Sequence, residues 1–265
     1  MTGARAVVVV AHPDDETVAF GSRLASFSPQ AVMVLTDGAP RDPWFARQAG
    51  CASRGDYARL RRSELHRALA LGGVGIERLY LFDVPDQEAV RELDRLTRAV
   101  AAVLRRTRAT RVATHAYEGG HPDHDAAAWV VHAAVAALGG AIEIVEAPLY
   151  HDAFGETAYH HFIPFRGAGP PEELRLEGDA LARKQAMVRA YASQAEVLAR
   201  FDPAREPLRR APRYDFAAPP HSGRLHYERW GWPVTGASFR AAITVANGYR
   251  DPSRAPGSSD SRRSA

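Results

Sequence analysis

The sequence predicts an α/β fold, with a mostly parallel sheet, helices on both faces and a less regular C-terminal region. Two observations carry this. Short β-branched runs alternate with longer stretches of helical period, the pattern of a doubly wound sheet. Two dense His/Asp clusters, Ala11-His12-Pro13-Asp14-Asp15-Glu16 and His121-Pro122-Asp123-His124, come just after apolar segments. That places both where parallel sheets bind ligands, outside the carboxyl ends of the strands.

Val7–Val10 reads as a strand buried on both faces. A helix opens after Asp14 and runs through Arg23–Ala25. Ala31–Leu35 is a second buried strand, ending at Thr36-Asp37-Gly38. From Ala39 to about Gly55 there is no clear period, and so long a connection points to a functional or mobile loop. Asp56–Leu71 reads as a helix with Asp56 as N-cap and Gly72-Gly73 as the stop. Leu79–Phe82 is a third strand ending at Asp83, and a long helix is expected from Asp86 to about Arg106. Val90, Leu93, Leu96, Val100 and Leu104 recur along it at helical spacing. Arg111–Thr114 is a fourth strand. Pro122 suits the first turn of a helix to about Leu138, and Ile142–Val145 is a fifth strand. Farther on, Gly178–Arg200 is expected as a helix, 201–232 as irregular, and Phe239–Val245 as a last strand. One domain over 1–250 is expected, with its core at about 5–200. The Ser/Arg/Pro/Gly-rich stretch 251–265 reads as a disordered tail.

Composition narrows the partners. A net charge of +3 gives no case for nucleic acid, and Lys184 is the only lysine beside many arginines. No segment has the length of a membrane span, and the start has no cleavage region of a secretion signal. Cys51 is the only cysteine, so an intrachain disulfide is excluded and a reducing cytoplasm is the expected location. Homo-oligomerisation is left open.

Charged carboxylates are costly to bury without partners, so the clusters call for chemistry. A lone His-Pro-Asp is ordinarily a turn, and a lone His-x-x-His is weak evidence for metal. The pair at corresponding strand ends points to one metal site. His12, Asp15 and His124 supply two imidazoles and a carboxylate, which suits a catalytic zinc with an open position; Fe2+ and Co2+ fit the same donors. Asp14, beside a ligand, is placed as general base for a water that the metal acidifies. His121 shares a helix face with His124 and is placed as oxyanion stabiliser or acid, oriented by Asp123. The same donor set also occurs in non-haem iron oxygenases, and a non-catalytic metal- or sugar-binding module is a further class. No Gly-x-Gly-x-x-Gly follows the first strand, which argues against a nucleotide-binding Rossmann protein.

The two clusters resemble the signatures of the PIG-L/LmbE-like metal-dependent deacetylases. Leu35-Thr36-Asp37-Gly38 is similar too, as are the helix pattern Arg61-x-x-Glu64-x-x-x-Ala68-x-x-Leu71-Gly72 and Lys184 followed by Ser193-Gln194. The resemblance covers roughly 5–200. It implies a Rossmann-like zinc hydrolase that removes acetyl groups from N-acetylglucosamine-type sugars or glycosides. By motif position it implies His12, Asp15 and His124 as metal ligands, Asp14 as base, His121 as oxyanion stabiliser or acid with Asp123 behind it, and Arg61 as a substrate contact. Departures are Phe20-Gly21-Ser22 in place of the usual Gly-Gly, and Gly119 where some relatives have a mobile tyrosine. Tyr117, two residues upstream, is the candidate in its place. Asp37 is a candidate at the second strand's end, and Trp44 with Phe45 a candidate lip over a sugar ring. His115 and the histidines at 66, 132, 160, 161, 221 and 226 lack a carboxylate-bearing motif and read as structural or surface residues. His151-Asp152 is a weak candidate for pocket lining.

Overall fold

The computed structural model describes residues 5–27 and 29–250. The expected tail at 251–265 lies outside the described residues. Nine strands and nine α-helices are described. β1 (Ala6–Val10), β2 (Ala31–Pro40), β3 (Leu79–Asp86), β4 (Arg111–His115) and β5 (Glu143–Ala147) form a parallel array in the order β3-β2-β1-β4-β5. β8 (Glu172–Arg175) and β9 (Arg205–Arg210) extend it antiparallel beyond β5, and β6 (Tyr150–Ala153) pairs with β7 (Glu156–Tyr159) in a separate hairpin.

The period of two in β1 explains its unbroken valine run. Val7 and Val9 pack into one core with Leu96 and Val100 of α4 (Leu93–Thr107) and Val131 of α5 (Pro122–Ala137). Val8 and Val10 pack into the opposite core. Leu24 of α1 (Asp15–Phe27), Leu65 of α3 (Arg54–Leu71) and Met187 of α6 (Gly178–Arg189) meet them there. Both faces are dry, so both registers of side chain must be apolar.

Several sequence expectations change. The helix expected from Asp86 begins only at Leu93, because β3 continues through Pro85 to Asp86. β3 is the sheet's edge strand, where a proline's missing N–H breaks no ladder bond. Beyond it, Gln87 adopts φ 71° and the N–H groups of Gln87 and Ala89 both donate to the Asp123 carboxylate, at 2.6 and 2.9 Å. The irregular stretch after Ala39 contains the end of β2 and a short helix, α2 (Pro43–Gln48), which Asp42 caps by accepting from Trp44 N. α3 is capped by Ser53, not Asp56. The helix from Gly178 stops at Arg189, and α7 (Ala195–Leu198) follows a 3-10 turn. The region 201–232 contains β9 and α8 (His226–Arg229).

Phe239–Val245 is helical, inside α9 (Gly236–Arg250). The reason is spacing: Phe239, Ile243 and Ala246 are the buried positions, and that is a 3.6-residue period, not an alternation.

Candidate metal and catalytic site

The order of the strands reverses between β1 and β4, so a crevice opens there at their carboxyl ends. The first cluster leaves β1 and the second follows β4. The peptide of Ala11 is fixed from both neighbouring strands. Its N–H donates to His115 Nε2 at 2.9 Å, and its carbonyl accepts from Thr36 N and Thr36 Oγ1 at 2.8 and 3.0 Å. His115, read as structural in the sequence, is thus the brace that sets where His12 begins, and its ring stacks on His124 at 4.3 Å.

Three donors converge. His12 Nδ1 lies 3.2 Å from Asp15 Oδ2 and 3.2 Å from His124 Nε2, and His124 Nε2 lies 3.4 Å from Asp15 Oδ1. These separations are those between neighbouring ligands of a tetrahedral zinc, roughly 3.3 Å for bonds of about 2.0–2.1 Å. All three side chains are buried. Burial opposes ionisation of Asp15, but the imidazoles of His124, His115 and His12 outweigh it and hold the carboxyl well below its ordinary range. Burial pushes His124 well below its ordinary value, so its ring is neutral with a lone pair to give. The donor set therefore fits a divalent metal.

The other nitrogen of His12 turns to a second group: Nε2 lies 3.2 Å from Asp123 Oδ2 and 3.3 Å from Asp86 Oδ1. A carboxylate behind the free nitrogen of a ligating histidine fixes its tautomer and orientation. Asp123, expected behind His121, thus faces the His12 ring instead. It meets His121 only through its backbone, donating from its N–H to His121 Nδ1 at 3.1 Å, because His121 is the N-cap of α5. That bond leaves the proton on His121 Nε2, which points at Asp86 Oδ1, 3.4 Å away. Burial of Asp86 is outweighed by His12 and His121, and its carboxyl is held far below the usual range. Asp86 is the member that sequence reading missed. The signal was present: it ends a strand at the same sheet edge, but the strand was read as ending at Asp83.

Asp14 reaches none of these donors. It caps the start of α1, its carbonyl accepting from Thr17 N and Val18 N. Its φ of 136° is a conformation that L residues rarely adopt. Three contacts hold it there. Glu16 Oε2 accepts from Asp14 N at 3.1 Å, Arg61 Nη2 donates to Asp14 Oδ2 at 3.1 Å, and the same Nη2 donates to Pro13 O at 2.6 Å. Glu16 is itself held by Thr17 Oγ1 and Tyr191 OH. Burial pushes the Asp14 carboxyl up to about 7 against the pull of Arg61.

Asp14, Arg61, His121 and Asp86 line one cavity of about 150 Å³ together with the three donors. Phe45, Tyr57, Gln194 and Trp232 complete its mouth. Three of the candidate contacts are not in its lining. Tyr117 is buried among Tyr214, Phe216 and Phe239, and its hydroxyl donates to Ala218 O; the helical α9 is what encloses it. Asp37 pairs with Arg54 and accepts from Ala39 N, leaving its neighbour Gly38 in the wall. Trp44 is half exposed and packs edge-on to Phe45, which lines the cavity in its stead. His151 and Asp152 line a separate cavity with Arg229 and His221.

Residues 7–135 match the family model described as PIG-L: GlcNAc-PI de-N-acetylase. No curated protein sequence matches the chain significantly. The fold is that of the A40926 pseudoaglycone deacetylase, with a TM-score of 0.62 at 21% identity over 80% of this chain and 98% of that one. A teicoplanin deacetylase in its zinc-inhibited form is similar at a TM-score of 0.61 and 16% identity, covering 80% and 99% of the chains. The 4-carboxy-2-hydroxymuconate hydratase of Pseudomonas putida KT2440 is similar at 0.51 and 18% identity, covering 74% and 82%. The fold thus hosts more than one chemistry, and the site must decide.

Proposed function

Residues 7–135 belong to the PIG-L family, and on that premise we propose that this protein is a metal-dependent hydrolase that removes the acetyl group from an N-acetylglucosamine-type sugar or glycoside. One observation carries the reading. Three donors stand 3.2–3.4 Å apart, Asp14 lines the same cavity outside their cluster, and His121, within 4.8 Å of the ring nitrogens of His12 and His124, stands beside it. A structural metal site leaves no such acid–base pair idle.

His12, Asp15 and His124 would hold the metal. When bound there, a zinc ion polarises an amide carbonyl and makes a water easier to deprotonate. Asp14 accepts a proton from the attacking water, and Arg61 holds its carboxylate in place to do so. The water oxygen joins the carbonyl carbon, and the carbon–nitrogen bond breaks. The proton held by Asp14 passes to the leaving nitrogen, giving acetate and a free amine. His121 donates from Nε2 toward the developing negative charge, with Asp86 behind it as acceptor. Preorganised donors of this kind are worth about 10²–10³ in rate. A two-histidine, one-carboxylate set also suits iron oxygenases, but Asp14 and His121 have no work in that chemistry. Among the described residues no helix is long and apolar enough to cross a membrane. Cys51 is a free thiol, in keeping with work in a reducing cytoplasm.

The test is release of acetate from N-acetylglucosamine and its glycosides. Chelation should abolish it and zinc restore it. Oxygen consumption with iron and a co-substrate, without amide cleavage, would overturn the reading.

A further inference from the structure

We propose that Trp232 selects the amine half of the substrate, by carrying a pyranose ring on its indole face. The inference rests on the deacetylase reading and extends it to the part of the chain beyond residue 135, which the family model does not cover.

The Trp232 ring lies 4.6 Å from the His121 ring, and both line the cavity. His121 donates toward the carbonyl oxygen of the scissile amide, and the leaving nitrogen is bonded to that same carbonyl carbon, so the group it carries comes within reach of a ring that stands beside His121 on the open side. The other rings near His121 are His12 and His124, and both belong to the donor cluster. Trp232 is therefore the surface that the amine's carbon skeleton meets. Its indole is only partly buried, so an apolar face remains to be covered. The C–H faces of a sugar ring suit such a surface, as an aromatic ring joins a broad apolar face to a polar rim. Phe45 and Tyr57 add aromatic walls to the same mouth.

The position is built, not incidental. Leu225 is buried against Gly119, where an added Cβ would stand 2.7 Å from Leu225 Cδ2. Gly119 also has φ 69°, so a side chain there would be strained as well as blocked. His226 N donates to Gly119 O at 2.9 Å, and Trp232 N donates to Tyr227 O at 3.1 Å. The C-terminal segment is thereby fastened to the loop that carries His121, and Trp232 follows from that fastening.

The test separates the ring platform from catalysis by measuring binding of the product amine. Glucosamine and the ringless ethanolamine are titrated calorimetrically into wild type, Trp232→Ala and Trp232→Phe, each checked for an unchanged melting temperature. Trp232→Ala should weaken glucosamine roughly tenfold or more and leave ethanolamine unchanged, while Trp232→Phe stays within about threefold of wild type. With N-acetylglucosamine the loss should fall mainly on KM. Glucosamine binding that survives Trp232→Ala, that is absent from wild type, or that is lost in parallel with ethanolamine overturns the proposal. If glucosamine binds through Trp232 but no N-acetyl sugar is cleaved, the reaction assigned above fails and the platform stands.

Discussion

Asp86 Oδ1 stands between two imidazole nitrogens, 3.3 Å from His12 Nε2 and 3.4 Å from His121 Nε2. One carboxylate thus orients both the histidine assigned to the metal and the histidine assigned to the developing negative charge. Replacing it as Asp86→Asn keeps the shape and removes the charge. Turnover of an N-acetyl sugar should fall by about 10–100-fold, the usual loss when such a supporting partner is removed. Steady-state kinetics with metal content measured in parallel checks this; unchanged kcat would show that Asp86 is idle.

Asp14→Ala removes the assigned base but none of the three donors. Turnover should drop by roughly 10²–10⁴, with bound zinc unchanged by elemental analysis. A variant that loses its zinc would place Asp14 in the donor set instead.

Adding zinc should raise the melting temperature of metal-stripped protein, since a ligand that binds only the folded state stabilises it by RT ln(1 + [L]/Kd), about 2.7 kcal/mol at a hundredfold excess over Kd. Asp15→Ala should abolish that rise. A rise that persists in this variant would place the ion elsewhere.

Glu64 is buried and joins α3 to the turn before α7, accepting from Ser193 N at 2.8 Å and from Ser193 Oγ at 2.6 Å. Glu64→Ala strands both donors and should cost about 1–3 kcal/mol. Chemical denaturation would register it as a lower midpoint.

His132 packs against Tyr214 and Phe216, and burial lowers its pKa to about 4. The unfolded chain protonates at its ordinary value near 6.5. Stability from keeping this ring neutral is therefore full above 6.5 and is lost as pH falls from there to about 4. His132→Phe should flatten that part of the stability profile, by at most about 3 kcal/mol at 1.36 kcal/mol per unit. Denaturation midpoints at pH 7.5 and 4.5 compare the two; equal slopes in both proteins would refute it.

What the sequence made legible is the parallel half of the sheet and the convergence of two loops on its switch point. Those rest on local patterns: valine runs, Pro122 at a helix start, paired clusters after strands. Asp86 was missed because the end of its strand was set three residues early, and only part of its placement is local. Its place depends on β3 running on through Pro85 and on Asp123 reaching across to Gln87 N, a contact between distant segments that no local pattern reports. Trp232 was hidden the same way, because only the docking of 218–232 on Gly119 brings it to His121. Tyr117 was misplaced because α9 was read as a strand, so its helical face was not seen to close over the phenol.

The stretch that carries the family signature, 7–135, does not bury its own core. Met187, Tyr191 and Leu208 complete one side of the sheet and Phe239 and Ile243 the other. A C-terminal half cannot be exchanged for another as a separate cassette, because part of each apolar face would be left wet. A lineage that exchanges this half as a whole must repack the sheet in the same step. Exchange of that half and maintenance of foldedness are then one selective problem.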